Sequence, residues 1–385
     1  MMRSAIAALA AASIAAGPTS ASEELSASDA ELTEAPPPER PGGPAAEVGR
    51  SGAQAEGKGR TWFALPMLFW LPETKLGVAG TAGVHFHVGR AAEASSAFAI
   101  AGWSLGGQGS VDLSSDVWLP RGALLTARLR AVHYPDAFYG VGPDTTLATR
   151  EEMTRRFVES TLGADLPLLA RLRAGPRLHA RAEEIRDATP GGLVAAGAVP
   201  GADGFSAVGL GAALTWDSRD RKLFPRRGAY AHAYYLHYPA RLGRNDGFGR
   251  GGVEGRLFLP AWRGGALGLA ALFEQTRGET PFSLLSKLGS TRYLRGIREG
   301  RYRDDLAWAA QAELRVPIAG PVIGAVFAAA GDVGPDLSSV RARGLELAGG
   351  AGLRYRLTRE GASLRLDVAV ADAGPEVYVL LLEAF

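Results

Sequence analysis

Only a few residues of this chain have the types and spacing that chemistry requires. Gly102-Trp-Ser-Leu-Gly106 has the Gly-x-Ser-x-Gly form of a hydrolase nucleophile, whose serine must stand on a sharp strand-to-helix turn. Here Ser104 lies within Ala97 to Gly106, which alternates as a strand, and Gly-Gly-Gln-Gly then leads into another strand, so the serine reads as a strand residue. His85 and His87 share one face of a strand, as two zinc ligands would, but no third His, Cys or carboxylate follows at a recognisable spacing. The stretch Leu168 to Ala182 places Arg171, Arg173, Arg177, His179 and Arg181 on one parity. Such a stripe could bind nucleic acid, but it lacks interleaved aromatics on the same face. A charged, water-filled pore wall accounts for it more simply. The chain has no cysteine, which excludes disulfides, thiolate metal sites and a cysteine nucleophile. These patterns point to a protein that is not an enzyme, binds no nucleic acid and needs no metal or cofactor. One further stretch, Gly289 to Asp304, is a Gly- and Arg-rich loop between two alternating segments, the arrangement of a loop that plugs a β-barrel.

The elements that must position these residues are strands. From Arg60 onward the apolar period is two rather than 3.6, broken by Gly, Pro, Asp and Arg clusters. Leu364, Leu366, Val368 and Val370 alternate with Arg365, Asp367 and Ala369, and Leu353-Arg-Tyr-Arg-Leu357 repeats the scheme. The segments run about ten to thirteen residues, beyond the roughly five or six of a soluble sandwich strand and near the ~9–11 that a tilted strand needs to cross lipid. Sixteen are expected, near 61–70, 76–88, 95–106, 109–119, 123–134, 150–164, 168–182, 205–217, 228–240, 248–262, 264–276, 304–317, 322–331, 345–358, 361–371 and 375–385. An even number suits a bacterial barrel. The long links 183–204 and 277–303 follow odd strands, and most links after even strands are short, so the long ones face outside. The fold class expected is all-β, a sixteen-stranded antiparallel transmembrane barrel whose sixth extracellular loop folds inward.

Residues 1–21 read as a signal peptide, with Arg3, an apolar run from Ser4 to Ala16 and a small-residue cleavage site at Thr19-Ser20-Ala21. Residues 22–59 are Ala, Pro, Glu, Gly and Ser, too poor in large apolar side chains to fold, and read as a disordered linker. Eight carboxylates against three basic side chains give that linker a net charge of −5; with Arg3 set aside, the whole-chain +2 leaves +6 for residues 60–385.

Leu294-Arg-Gly-Ile297 resembles the aliphatic-Arg-Gly-aromatic signature in the sixth extracellular loop of the BamA/TamA superfamily, the bacterial surface antigen family, with Ile297 in place of the usual aromatic. Asp217-Ser-Arg219-Asp220 followed by Phe224-Pro225-Arg-Arg-Gly228 resembles that family's strand-turn-strand motif, and the resemblance is strongest over 205–385. Phe138-Tyr-Gly-Val-Gly-Pro-Asp-Thr145 and Leu71 to Gly77 resemble members without periplasmic domains, and residues 22–59 are too short and polar for a POTRA domain. Where the family strand reads Phe-x-Asp-x-Gly this chain has Ala329, so one acidic partner for Arg295 is absent. Glu383 stands where an apolar or aromatic residue is usual.

A loop arginine folded into a barrel leaves water and needs a charge-assisted hydrogen bond. Parity puts Glu313 and Asp367 inside as candidate partners for Arg295; the other reading is a solvated loop arginine. The resemblance implies a monomer in the outer membrane of a Gram-negative envelope that inserts or translocates polypeptides, or lipid, through a seam between its first and last strands. Its partners would be outer-membrane lipid and unfolded client proteins. The basic stripe suggests an alternative, a passive or gated channel for small anionic solutes. A membrane anchor whose acidic linker binds a partner is a third reading.

Overall fold

The computed structural model describes residues 56–57, 60–71, 73–221, 223–339, 344–357 and 363–381. The signal peptide (1–21), most of the linker (22–59) and Glu383 lie outside the described residues. Sixteen long antiparallel strands form one closed barrel. They are β1 (Arg60–Leu71), β2 (Lys75–Phe86), β3 (Ser95–Ser104), β4 (Gly109–Trp118), β5 (Leu124–Phe138), β6 (Glu151–Leu169), β7 (Leu172–Arg186) and β8 (Phe205–Asp217). The second half continues with β9 (Gly228–Tyr238), β10 (Phe248–Pro260), β11 (Ala266–Gly278), β12 (Leu306–Ala319), β13 (Val322–Gly334), β14 (Glu346–Arg356), β15 (Ser363–Ala371) and β16 (Gly374–Leu381). Each strand pairs with its neighbours in sequence, and β16 meets β1 to close the ring.

The sheet closes because its apolar side chains and its charges need opposite faces. On β15 Leu364, Leu366, Val368 and Val370 are 42–53% exposed, while Arg365, Asp367 and Ala369 are at most 2% exposed. A water-soluble core would show the reverse. The fold is apolar outside and charged inside, as a barrel in lipid must be, and closure leaves no free sheet edge along most of its circumference.

The outer end of the barrel carries the long links 139–150, 187–204 and 279–305. At the inner end the links are mostly tight, with Arg121, Arg263 and several glycines in the left-handed conformation that such turns require. One inner link, 218–227, is longer and is braced by its own side chains. The turn between β6 and β7 is Ala170–Arg171, which corrects the lumenal stripe at one position. Arg171 is an exposed turn residue rather than a strand residue, and its carbonyl accepts the Asp217 N–H at 3.0 Å. Parity counted across Leu168–Ala182 could not reveal a turn made of Ala and Arg.

Candidate functional site

The 279–305 link carries the site. It begins with Phe282, Leu284 and Leu285, all buried, of which Phe282 and Leu285 pack with Phe138, Met153 and Val194, and Leu284 with Phe205, Tyr238 and Phe248. A short ladder then pairs Ser286–Leu288 with Tyr302–Asp304. The tip between them turns through Leu294 and Gly296, at φ of 53° and 102°. A non-glycine residue in this region is strained, at roughly 1–3 kcal/mol, and packing holds it: Leu294 is fully buried in one cluster with Leu288, Tyr293, Ile297, Ala307 and Ala329. Gly296 has a steric reason as well, because a Cβ there would lie 3.2 Å from the Val370 carbonyl carbon. Ile297 joins the apolar cluster at the place where the family signature has an aromatic ring.

That turn presents Arg295 to the lumenal wall. Its side chain has no exposed surface; one terminal nitrogen donates to Asp367 Oδ2 at 2.6 Å and the other to Glu313 Oε2 at 2.6 Å. Its guanidinium carbon lies 3.4 Å from the centroid of the Phe327 ring. The two carboxylates are shared. Glu313 also accepts from Arg315 Nε at 2.7 Å and Arg354 at 3.3 Å, and Asp367 pairs with Arg354 and with Arg365 Nε at 3.3 Å. Arg365 in turn donates to the Thr291 carbonyl at 2.9 Å. Three strands, β12, β14 and β15, thus meet one loop arginine through a single ionic network. Ala329 lies in the apolar cluster, so the position where the family has its acid packs against the loop instead of pairing with it.

Further bonds tie the tip to the last strand and to the opposite wall. The Gly296 N–H donates to Tyr378 Oη at 2.9 Å, and that hydroxyl donates to Glu376 Oε2 at 2.8 Å. Arg298 Nε lies 3.5 Å from Glu376 Oε1. Tyr293 and Arg292 both donate to Glu254 Oε1 at 2.8 Å. Across the lumen, Arg301 donates to Thr145 Oγ1 at 2.8 Å and to the Thr145 carbonyl at 2.6 Å, and the Gly142 N–H donates to the Arg303 carbonyl at 2.9 Å. The 138–145 stretch singled out in the sequence is therefore a landing surface for the loop. A cavity of about 450 Å³ remains between the loop and the β5–β6 wall, lined by Tyr134, Asp136, Arg155, Lys287, Glu299 and Arg303 among others. Burial, and the nearby Arg155 and Arg303, hold the Lys287 ammonium well below its usual range. Burial also lowers Arg303 to about 10.

The turn motif belongs to the same assembly. Asp217 receives Arg219 through Nε at 3.0 Å and a terminal nitrogen at 2.8 Å, and Asp220 Oδ1 accepts the Arg226 and Arg227 N–H groups. Gly228 is at φ 103°, where a Cβ would lie 2.3 Å from the Ser218 carbonyl oxygen. Phe224 and Pro225 are buried, and Arg315 reaches over the Phe224 ring at 5.4 Å. The inner turn and the outer loop are thereby joined through Arg315 and Glu313.

The remaining stripe residues are paired or stacked. Arg177 is bidentate to Asp165 at 2.7 and 2.9 Å, and Arg181 bonds Glu159 at 3.0 Å and Glu183 at 2.8 Å. His179 Nε2 lies 3.0 Å from Glu159 Oε1, and Arg173 stacks over Trp118 at 3.9 Å. Their carboxylates sit on a neighbouring strand or two residues along the same one, so the wall is charge-compensated rather than basic. Ser104 donates to Gln108 Oε1 at 2.5 Å and accepts the Gln108 N–H within the β3–β4 turn. His85 is packed between Phe63 and Phe98, while His87 is exposed beyond the end of β2. Among the described residues no three His, Cys, Asp or Glu side chains could hold a metal ion.

Sequence reasoning missed Phe327, Arg315, Arg354 and Tyr378 as contributors to the loop anchor. Arg354 and Arg315 alternate with apolar neighbours just as Glu313 does, and that signal was available. Tyr378 carried none.

The Omp85 superfamily domain profile matches residues 159–376, more than half of the chain. The chain belongs to the Omp85 superfamily. No curated protein matches it in sequence. Among solved structures it is similar to BamA from Haemophilus ducreyi lacking POTRA domains 1–3, at 15% identity and a TM-score of 0.57, covering 86% of this chain and 74% of that one. It is also similar to CdiB from Acinetobacter baumannii, at 10% identity and a TM-score of 0.54, covering 86% of this chain and 60% of that one. At these identities the likeness is one of fold, and it extends over strands of the N-terminal half that the Omp85 profile does not reach.

Proposed function

We propose that this Omp85 barrel acts at the outer membrane by inserting or translocating polypeptide segments through the seam between β1 and β16. The observation that carries this reading is the pairing at the seam. Among the described residues, Trp70 with Val379 is the one registered pair between β1 and β16, whereas β15 and β16 are paired without a break from Leu364–Leu381 to Ala371–Gly374. Unpaired backbone groups in lipid cost several kcal/mol each, and an open edge is a template for an added strand. A client strand arriving here would extend an edge that, among the described residues, has one registered pair to β16 and two to Glu56–Gly57.

The reading takes residues 1–21 as an export signal, 22–59 as a linker and 60–385 as the barrel. It assigns the protein to the outer membrane as a monomer whose partners are lipid and unfolded client chains, with no catalytic residue. Leu294, Arg295, Gly296 and Ile297, with Glu313 and Asp367, hold the loop against β12–β16 so that the edge strand keeps its shape. The channel for small anions loses its support, since Arg177 and Arg181 are neutralised by carboxylates at hydrogen-bond distance. In-cell crosslinking from the β1 edge tests the proposal: an insertase traps unfolded barrel chains, and a capture profile free of them would overturn it.

A further inference from the structure

The outer face of the barrel is mostly apolar, and one sector near its outer end carries a network of polar side chains. Trp103 on β3, Gly109 on β4, His133 on β5, Arg156 on β6 and Glu184 on β7 stand directly opposite one another across successive strands. They make a single outward row near the outer end. Gly109 allows the row to close, because a Cβ there would lie 2.2 Å from the Trp103 ring. The indole crosses that position and stacks on His133, with ring centroids 5.7 Å apart and planes at 8°. Arg156 Nε donates to His133 Nδ1 at 3.0 Å. An imidazole that accepts at Nδ1 carries its proton on Nε2, which is then a second donor. Glu184 faces Arg156 across the ladder and meets Arg186 at 2.8 Å, so the three side chains together keep one net positive charge.

Two residues deeper, the next outward row is Gly80, Ala101, Val111, Ala131, Val158 and Ala182. These small side chains leave a depression of about 900 Å³, lined by both rows. That volume lies within the ~300–1,000 Å³ of small-molecule sites. A Cβ at Gly80 would meet no atom within 4 Å, so the space is open above it.

We infer that this sector binds a phosphate-bearing lipid of the outer leaflet, an inference that rests on the outer-membrane reading above. The acyl chains lie in the depression, the terminal amines of Arg156 and the His133 Nε2–H hold the phosphate, and the Trp103 indole marks the interface. Charge decides the ligand class. A guanidinium beside an apolar surface at membrane depth is costly unless water or an anion satisfies it, and its donors match phosphate oxygens. Lipid is the source because the anion site opens onto an apolar depression that a free phosphate would leave empty.

The test is native mass spectrometry on the full chain in neutral detergent, with folding confirmed by heat-modifiable gel mobility. The probes are phosphatidic acid, diacylglycerol with the same chains, and inorganic phosphate. One phosphatidic acid should be retained about tenfold more tightly than diacylglycerol, the equivalent of one charge-assisted hydrogen bond. Arg156→Gln should abolish that preference, and Gly80→Leu, which puts a side chain into the depression where a Cβ meets no atom within 4 Å, should weaken both lipids. Equal retention of the two lipids, unchanged preference in Arg156→Gln, or displacement by inorganic phosphate would each overturn the site. Those results concern a folded barrel; a chain that shows no heat-modifiable mobility would instead remove the outer-membrane reading itself.

Discussion

Arg295→Ala should loosen the loop tip, and its surroundings set by how much. The substitution removes two buried charge-assisted hydrogen bonds of 2.6 Å and the stacking on Phe327. Bonds to charged groups contribute about 1.5–3 kcal/mol each. Stranding a buried charge would cost about 3–5 kcal/mol, but Glu313 keeps Arg315 and Arg354, and Asp367 keeps Arg354 and Arg365. Neither carboxylate is stranded, so the loss should sit near the lower bound for two bonds, about 3 kcal/mol. That is about a hundredfold in the ratio of docked to released tip. Protease cleavage between Arg277 and Arg303 should rise by a similar factor where opening is rapid relative to cleavage, and single-channel conductance should increase. Glu313→Gln combined with Asp367→Asn should do more, because it leaves Arg295, Arg315, Arg354 and Arg365 buried without the carboxylates they share. Wild-type protease sensitivity and conductance in Arg295→Ala would refute the reasoning, since the loop would then be held without its arginine.

Three other outcomes follow from the same structure. The mature chain should fractionate with the outer membrane and show heat-modifiable mobility, and recovery as a soluble periplasmic protein would end the membrane reading. Trp70→Cys with Val379→Cys should form a disulfide, since residues opposite one another on antiparallel strands have Cα atoms ~4.5–5.5 Å apart; the locked seam should reduce polypeptide insertion, and undiminished insertion would rule out the seam as the route. Glu73 lies in the β1–β2 turn, where burial pushes its carboxyl up to about 7, with Glu376 and Glu299 adding to the shift and a backbone hydrogen bond and Arg298 opposing it. An acid raised in the folded state stabilises while protonated, so its contribution is full below about pH 4.5 and is lost as pH rises through about 7. Glu73→Gln should flatten the fall in thermal midpoint between pH 5 and 8, and equal slopes in mutant and wild type would sink the assignment.

The sixteen strands were legible because lipid reverses the ordinary rule of burial. Leu364 to Val370 advertise both a face that must avoid water and a face that must not meet lipid, and only a closed sheet supplies both. Parity also put Glu313 and Asp367 on the inner face, which reduced the search for a partner of Arg295 to a few residues. What parity cannot give is register. Whether Arg177 faces Asp165 or open water depends on how β6 and β7 slide against each other, and a slip of two residues preserves every inward and outward assignment while changing every partner. The stripe therefore read as basic when it is compensated. Arg171 failed for a related reason: a two-residue turn of Ala and Arg lacks the Gly, Asn or Asp that marks tight turns in sequence.

The loop and the seam are connected through one strand. Tyr378 and Glu376 of β16 accept hydrogen bonds or charge from Gly296 and Arg298, while Arg295 fixes the same loop to β12 and β15. On the other side of the seam, β1 meets β16 at Trp70–Val379 among the described residues. The two edges are therefore unequally held: β16 is tied to the lumen by side chains as well as by its full ladder with β15, and β1 is held by its ladder with β2 and a two-residue pairing of Glu56–Gly57 with Arg60–Thr61. If polypeptides enter here, β16 is the fixed template and β1 the edge that yields. Releasing the loop by Arg295→Ala would then soften the template itself, and insertion should fall even though the seam opens more easily. A rise in insertion would show instead that the loop only obstructs the lumen.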